Sequence, residues 1–125
     1  MQPTMSQSLE DYLEAIYRLI AAKKPAQVRD VAKMLAVKMP SVVRALRELK
    51  RLELVTQEPY ANIELTARGL RLARTVLRRH TLLRTFLMKL GVSSATADRD
   101  ACLMEHILSA ETLDRIRQYT EKKNR

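Results

Sequence analysis

Apolar residues recur at the spacing of an α-helix along most of the chain, which predicts a mainly α-helical fold. The first such segment predicts a helix over about residues 8–22, and Ser8 with Asp11 three positions on resembles a capping box at its start. Pro25 ends this helix, because a proline disfavours the helical conformation of the residue before it. The apolar positions of this helix are Leu9, Tyr12, Leu13, Ile16, Tyr17 and Ile20.

Two more helices follow closely, and then the periodicity changes. The second begins near Gln27, and the third begins at Met39-Pro40, where a proline is tolerated in the first turn, and ends near Leu52. The segment LVTQEPYANIELT then alternates in the manner of two short strands around a tight turn. The strands cover residues 54–58 and 63–66, and the turn covers residues 59–62.

The C-terminal half is again helical. Thr66 is placed to cap a long helix over residues 67–90, which Gly91 ends because glycine readily adopts the left-handed conformation found after many helices. A fifth helix spans about residues 94–108, and Ser109 is placed to cap a sixth. One histidine interrupts the apolar face of the long helix, which consists of Leu70, Ala73, Leu77, His80, Leu83 and Leu87.

The order of a helix, a tight turn, a helix and a two-stranded hairpin is that of a winged helix-turn-helix. The third helix would then enter the major groove of double-stranded DNA, with Val42, Leu46 and Leu49 facing the core. Arginine suits guanine edges and phosphates, whereas Lys38 and Arg29 are better placed for phosphates alone. The candidate DNA-contacting residues are Arg29, Lys38, Pro40, Ser41, Arg44, Arg47, Arg51, Tyr60 and Asn62.

Charge and composition support a nucleic-acid partner. The formal net charge is +9, and it is concentrated in residues 23–51, with nine Lys or Arg against two acids, and in residues 67–90, with seven against none. Solvated helix faces would also explain these blocks. The chain has one cysteine, no apolar stretch of membrane-span length and no signal-peptide pattern at its start. We therefore expect a cytoplasmic protein without a membrane partner.

The segment DACLMEHILS raises the question of metal or catalytic chemistry. Cys102, Glu105 and His106 are three and four positions apart, so they would share one face of the predicted fifth helix. A half-buried cysteine beside a surface acid and a surface histidine is an ordinary alternative. Cys102 with His106 as its base would suggest an enzyme, but the chain has no oxyanion-hole motif or glycine-rich loop. We therefore expect no enzymatic activity.

Residues of two other predicted helices could join the same site. His80 could equally be a core histidine with a hydrogen-bonded partner, and Asp11 and Glu14 could be a cap and a surface acid. With the three residues of the fifth helix they supply three carboxylates, two imidazoles and a thiol, including both histidines and the only cysteine of the chain. This economy favours a metal site.

Five segments resemble, in order and spacing, the metal-dependent repressors of the diphtheria toxin repressor and manganese transport regulator family. They are SLEDYLEAIYRL, VRDVAKMLAVKMPSVVRALRELKRLELV, EPYANIELTARG, RRHTLLRTFL and CLMEHILS. The resemblance implies a winged helix-turn-helix DNA-binding domain over residues 1–70 and an α-helical metal-binding and dimerisation domain over residues 71–125. It also implies a homodimer that binds a palindromic operator with Mn(II) or Fe(II) as corepressor, and that controls metal homeostasis genes.

The resemblance also assigns metal ligands. Asp11 and Glu14 correspond to the first-helix carboxylates of manganese-responsive members, His80 to the long-helix histidine, and Glu105 with His106 to the fifth-helix pair. Cys102 matches the iron-responsive branch instead, so the set Asp11, Glu14, His80, Cys102, Glu105 and His106 combines both branches.

Three departures from the family pattern change these expectations. Arg84 stands where many members carry an acidic residue that helps to hold a second metal, which argues against a full two-metal site. The wing reads Tyr-Ala-Asn at residues 60–62 where relatives often have Tyr-Arg-Gly, so we expect no wing arginine contact, although Asn62 can still adopt the left-handed turn conformation. The chain ends after the sixth helix, so we expect no SH3-like third domain.

The expected mechanism couples the ion to DNA binding. A divalent ion would relieve the repulsion among Asp11, Glu14 and Glu105 and tie the first helix to the long and fifth helices, which would set the separation of two recognition helices. Two alternatives remain open. One is a metal-independent winged-helix regulator with Cys102 as a redox or ligand sensor, and the other is a DNA-packaging protein without sequence preference.

Overall fold

The computed structural model describes residues 6–122 of the chain. This range contains six helices and one two-stranded antiparallel sheet, which confirms the predicted mainly α-helical fold. No helix in this range is both long and apolar enough to cross a bilayer. In chain order the elements are α1 (Gln7–Ala21), α2 (Val28–Leu35), α3 (Met39–Arg51), β1 (Val55–Thr56), β2 (Glu64–Leu65), α4 (Ala67–Lys89), α5 (Ser94–Met104) and α6 (Ala110–Lys122).

The chain folds into two compact units, Met1–Arg74 and Thr75–Arg125, and the boundary between them lies within α4. In the first unit the apolar faces of α1, α2 and α3 meet in one core, which the small sheet extends. The most deeply buried side chains of this core are Leu13, Ile16, Val31, Val42, Leu49, Leu54 and Ile63.

Both strands are shorter than predicted. In the sheet Val55 pairs with Leu65 and Thr56 pairs with Glu64. Residue Ile63 leaves this ladder because its N–H donates to the carbonyl oxygen of Ala26, at 2.7 Å. The hairpin is therefore anchored to the loop before α2 as well as to its own partner strand.

Hydroxyl side chains cap α1, α4 and α6. The hydroxyls of Thr66 and Ser109 each accept a hydrogen bond from the N–H three residues on, at 3.0 and 3.1 Å, as predicted. The prediction for α1 was wrong, because Ser6 is the N-cap and accepts from the N–H of Leu9 at 3.2 Å. Ser8 lies inside the helix, so its side chain does not cap α1 and Asp11 is not the partner of a capping box.

The fifth helix ends at Met104 rather than near residue 108. The turn after the helix is tighter than an α-helical turn, since the N–H of Ile107 donates to the carbonyl oxygen of Met104, three residues back, at 3.1 Å. Ser109 then starts α6. Glu105 caps α5 with helical backbone, since its N–H donates to the carbonyl oxygen of Ala101 at 3.0 Å, and it therefore shares a face with Cys102 as predicted. His106 lies in the turn that follows.

The buried face of α4 differs in part from the predicted one. Val76 is fully buried, whereas Leu77, which was predicted to face the core, is only half-buried. Positions spaced by three and four residues stay on one side of a helix, and Val76 continues the line to His80 and Leu83 better than Leu77 does. The fully buried or nearly buried residues of α4 are Ala73, Val76, His80 and Leu83, together with Gly69 near its start.

Left-handed backbone occurs at five described residues, and three of these lie between α2 and α3, at the end of α4 and in the wing. Ala36, at φ 54°, forms the turn between α2 and α3, and Gly91, at φ 100°, ends α4 as predicted. In the wing the positive φ belongs to Tyr60, at 62°, and not to Asn62. The Asn62 side chain is instead held by a hydrogen bond, described below.

Candidate DNA-binding surface and candidate metal centre

The second and third helices form a helix-turn-helix with a buried and an exposed side. Val42, Leu46 and Leu49 of α3 are buried, as predicted. The opposite side of that helix therefore faces solvent. The turn is closed by the N–H of Val37, which donates to the carbonyl oxygen of Ala32 at 3.0 Å.

The predicted DNA-contacting residues lie on the exposed side of this unit. Ser41 is half-buried, and the others are exposed; these are Arg29, Lys38, Pro40, Arg44, Arg47, Arg51, Tyr60 and Asn62. This surface is basic, because α3 carries four lysine or arginine residues after Ser41 but only one acid, Glu48. A surface of this kind attracts phosphates.

One of these arginines is already paired within α3. The Arg51 guanidinium binds the Glu48 carboxylate through two nitrogens, with Nε donating to Oε2 at 3.0 Å and Nη2 donating to Oε1. These hydrogen bonds hold the pKa of the Glu48 carboxyl below its usual range and raise the pKa of Arg51. Neither Arg44 nor Arg47 has an ion-pair partner among the described residues.

The wing is tied to the start of α2 by a contact that the sequence analysis missed. Gln27 donates from its side-chain nitrogen to Oδ1 of Asn62 at 3.1 Å, while its own backbone N–H donates to the Asp30 carboxylate at 3.0 Å. Tyr60 remains fully exposed at the tip of the wing. The two amide side chains are 35 residues apart in sequence, and no local pattern identifies such a pair.

The first unit contributes two carboxylates on one face of α1. Asp11 is half-buried, and Glu14, only 8% exposed, is three positions further along the helix. One oxygen of Glu14 pairs with Arg18 at 2.5 Å. The other, Oε1, is buried and has no hydrogen-bond partner among the described residues. A buried acceptor of this kind is costly unless a cation or donor approaches it.

The second unit brings three predicted ligands together around one buried carboxylate. Glu105 is 1% exposed. Its Oε2 lies 3.6 Å from Nδ1 of His80, and its Oε1 lies 3.4 Å from Nε2 of His106. Two donors bound to one divalent ion at about 2.0–2.2 Å each are about 3–4 Å apart, so these separations fit shared ligation of an ion.

Cys102 belongs to the same side-chain cluster. It is half-buried in the last turn of α5, and its Sγ lies within 4.8 Å of a Glu105 carboxylate oxygen. The residues of this unit therefore offer imidazole nitrogen, carboxylate oxygen and thiolate sulfur, a donor set suited to a first-row divalent transition metal.

Asp98 is a member of this cluster that the sequence analysis did not identify. Its Oδ1 lies 2.7 Å from Nε2 of His80, and the Nε of Arg84 lies 3.7 Å from the same oxygen. Asp98 is on the exposed side of α5, as the first of three consecutive charged residues, a pattern that is typical of solvated surface positions.

Comparison with known proteins identifies the family. The profile of the iron-dependent repressor N-terminal DNA-binding domain matches residues 4–63, and that of the iron-dependent repressor metal-binding and dimerisation domain matches residues 66–125. A protein of Methanocaldococcus jannaschii, described as an uncharacterised HTH-type transcriptional regulator, is 41% identical over 94% of this chain and 96% of its own. The chain belongs to the iron-dependent repressor family.

Two further similar proteins agree with this assignment. The transcriptional regulator MntR of Escherichia coli O157:H7 is 40% identical over 91% of this chain and 74% of its own. The solved structure of the manganese regulator SloR superposes with a TM-score of 0.81 at 28% identity, covering 97% of this chain and 55% of that one. The chain thus spans about half the length of SloR.

Membership decides between the functions considered from the sequence. The protein is a metal-dependent, DNA-binding transcriptional repressor that dimerises, and the enzymatic reading with Cys102 as nucleophile is set aside because its relatives are transcriptional regulators. The same finding sets aside a metal-independent regulator and a DNA-packaging protein.

Proposed function

We propose that this repressor uses Mn(II) or Fe(II) as corepressor, binds a palindromic operator as a cytoplasmic homodimer, and controls genes of metal homeostasis. The DNA-binding domain would comprise residues 1–70, and the metal-binding and dimerisation domain residues 71–125. The observation that carries the proposal is the buried Glu105 carboxylate, with an imidazole nitrogen within 3.6 Å of each of its oxygens.

The proposed metal ligands are Asp11, Glu14, His80, Cys102, Glu105 and His106. The residues fit a divalent ion because each unit holds a buried polar atom that lacks an ordinary partner. In the first unit this atom is Oε1 of Glu14, and in the second it is Nδ1 of His80. A bound ion would supply the positive charge that these donors lack, and the carboxylates and imidazoles would orient it.

The mixed ligand set is the reason for naming two ions. Carboxylate and imidazole donors suit Mn(II), whereas the Cys102 thiolate suits Fe(II). Intrinsic affinity does not choose between them, because divalent metals later in the first transition row bind most sites more tightly than either ion. Both ions occur among related proteins, since the family is named for iron dependence and SloR is a manganese regulator. We expect Cys102→Ser to shift the preference toward Mn(II).

The proposed coupling works through the geometry of the dimer. Carboxylates on α1 and ligands on α4 and α5 that share one ion would link the DNA-reading unit to the dimerising unit. Two recognition helices can bind both half-sites only when their separation matches the helical repeat of DNA. The metal-loaded protein would therefore bind the operator more tightly. By linkage, the operator-bound protein would bind the metal more tightly than the free protein does.

The proposed function is tested by anaerobic fluorescence anisotropy, with DNA from upstream of the protein's own gene and a scrambled duplex as control. We expect tight, sequence-dependent binding only after loading with Mn(II) or Fe(II), and the ion that acts at the lower free concentration is the preferred one. Equal binding by metal-stripped and loaded protein would overturn the corepressor assignment.

The proposed DNA-contacting residues are the nine identified from the sequence, and their effects should differ in a predictable way. If the Arg44 guanidinium contacts a base, Arg44→Ala should weaken operator binding by about 1–3 kcal/mol. If it contacts a phosphate, the substitution should reduce the slope of log affinity against log salt concentration by about one. Arg51→Ala should have a smaller effect, since Glu48 already neutralises that guanidinium. Binding curves at several salt concentrations distinguish these results.

Lys122→Ala is the matched control for these arginine variants, because it removes one exposed positive charge from the end of α6. An Arg51→Ala variant that weakens binding as much as Arg44→Ala would show that the Glu48 pair opens when DNA binds.

A further inference from the structure

A surface carboxylate reaches a buried histidine in the second unit. The His80 side chain is 6% exposed, whereas the Asp98 side chain, on α5, is 55% exposed. They meet at 2.7 Å, between Nε2 of the imidazole and Oδ1 of the carboxylate. This is the usual length of a hydrogen bond from a nitrogen to a charged oxygen.

This contact determines which imidazole nitrogen carries the proton. A carboxylate can only accept, so Nε2 must be the donor and must hold a hydrogen. In the neutral ring Nδ1 then keeps its lone pair. That atom is buried, has no hydrogen-bond partner among the described residues, and lies 3.6 Å from Oε2 of Glu105. Two acceptors that face one another at this distance favour a cation between them.

We propose that Asp98 is a positioning residue that holds His80 as the Nε2–H tautomer, with Nδ1 directed at the metal. The inference rests on the proposed metal site and adds to it a residue outside the six ligands. Carboxylates that hydrogen-bond the second nitrogen of a metal-bound histidine fix the ring orientation and raise its basicity.

The neighbours of Asp98 suit a positioning role better than a ligand role. Arg84 lies beside the carboxylate, with Nε 3.7 Å from Oδ1, and its Nη2 donates to the hydroxyl of Ser94 at 2.7 Å. A guanidinium at this place both orients the carboxylate and repels a second cation. Arg84, which is itself held by Ser94, thus keeps the Asp98 carboxylate directed toward His80.

The first experiment reads the tautomer in metal-free protein. Nitrogen-15 spectra of the imidazole rings, recorded above the pH range in which histidine titrates, distinguish Nε2–H from Nδ1–H, and His80→Ala identifies the His80 signals. We expect the Nε2–H form in the wild type and in Asp98→Asn, whose amide oxygen can still accept, and a mixture of tautomers in Asp98→Ala. An unchanged His80 tautomer in Asp98→Ala would overturn the proposal.

The second experiment measures Mn(II) affinity and stoichiometry by calorimetry on the full chain. We expect Asp98→Ala to weaken binding on the order of 10- to 100-fold, Asp98→Asn to recover most of the loss, and Asp114→Ala, a surface acid of similar exposure on α6, to have no effect. Circular dichroism melts establish that the variants are folded, and Asp98→Leu, which has a similar branched shape but no acceptor, replaces Asp98→Ala if that variant is not.

The outcomes separate this inference from the proposed function. Wild-type protein that binds no Mn(II) or Fe(II) would contradict the proposed function itself. Wild-type binding that is lost in His80→Ala but unchanged in Asp98→Ala would contradict the positioning role alone. The positioning role would also be contradicted if the wild type bound two ions per chain and Asp98→Ala bound one. In that case Asp98 would be a metal ligand.

Discussion

Glu105→Gln should abolish the metal response of this repressor without unfolding it. The Glu105 carboxylate lies between the imidazoles of His80 and His106, at 3.6 and 3.4 Å, and is 1% exposed. Glutamine keeps the shape of the side chain but removes the negative charge that a divalent ion needs. We expect metal affinity to fall by about 100-fold or more, beyond the range typical of residues outside the ligand shell.

The same substitution should leave the metal-free protein at least as stable as the wild type. A buried carboxylate is expensive to desolvate, and an amide of the same shape costs less. Thermal melts with and without Mn(II) measure both effects, since a ligand that binds only the folded state raises the melting temperature. Glu111→Gln, on the exposed side of α6, is the matched control. A full metal-induced shift in Glu105→Gln would place the ion elsewhere.

Gly69→Ala should strongly destabilise the DNA-binding unit. A Cβ at this position would lie 1.9 Å from the carbonyl oxygen of Leu54, which is a backbone atom and cannot rotate away. That oxygen also accepts a hydrogen bond from the N–H of Thr66 at 3.1 Å, so relieving the clash would pull the first turn of α4 away from β1. We expect a loss of about 3 kcal/mol in the free energy of unfolding, the upper end of ordinary overpacking costs.

Urea denaturation followed by circular dichroism measures this loss, and amide hydrogen exchange locates it in α2, α3 and the hairpin. Arg68→Ala is the matched control, since it introduces the same methyl side chain at the neighbouring exposed position of α4. A Gly69→Ala protein within about 0.5 kcal/mol of the wild type, the spread of ordinary surface substitutions, would mean that α4 does not begin against Leu54.

The larger elements were predictable because their signals are local. Periodicity identified all six helices and the hairpin of residues 6–122, and the hydroxyls of Thr66 and Ser109 marked helix starts correctly. The errors lie where two local signals compete. Ser6 and Ser8 are both acceptable caps, and only the packing of α1 selects the first. Val76 and Leu77 are both apolar, and the direction of the core selects Val76.

The chemistry of the site was predictable in its residue types and less so in its arrangement. The two histidines and one cysteine attracted attention by their rarity, and His80 with Glu105 and His106 do form one cluster. The predicted length of α5 was nevertheless wrong, because the helix ends at Met104 with Glu105 as its cap, and His106 lies in the following turn. The contacts of Asp98 with His80 and of Gln27 with Asn62 had no sequence signal, since each pair is distant along the chain.

The sequence by itself therefore determined the helices, the winged helix-turn-helix order, the basic surface and the inventory of possible ligands, because each follows from spacing, charge or residue type within a short segment. Only the tertiary structure decided that Asn62 is held by Gln27 and that Asp98 binds Nε2 of His80. These choices depend on distances of a few ångströms between side chains, which rotamers and packing set and which hydrophobic periodicity does not encode.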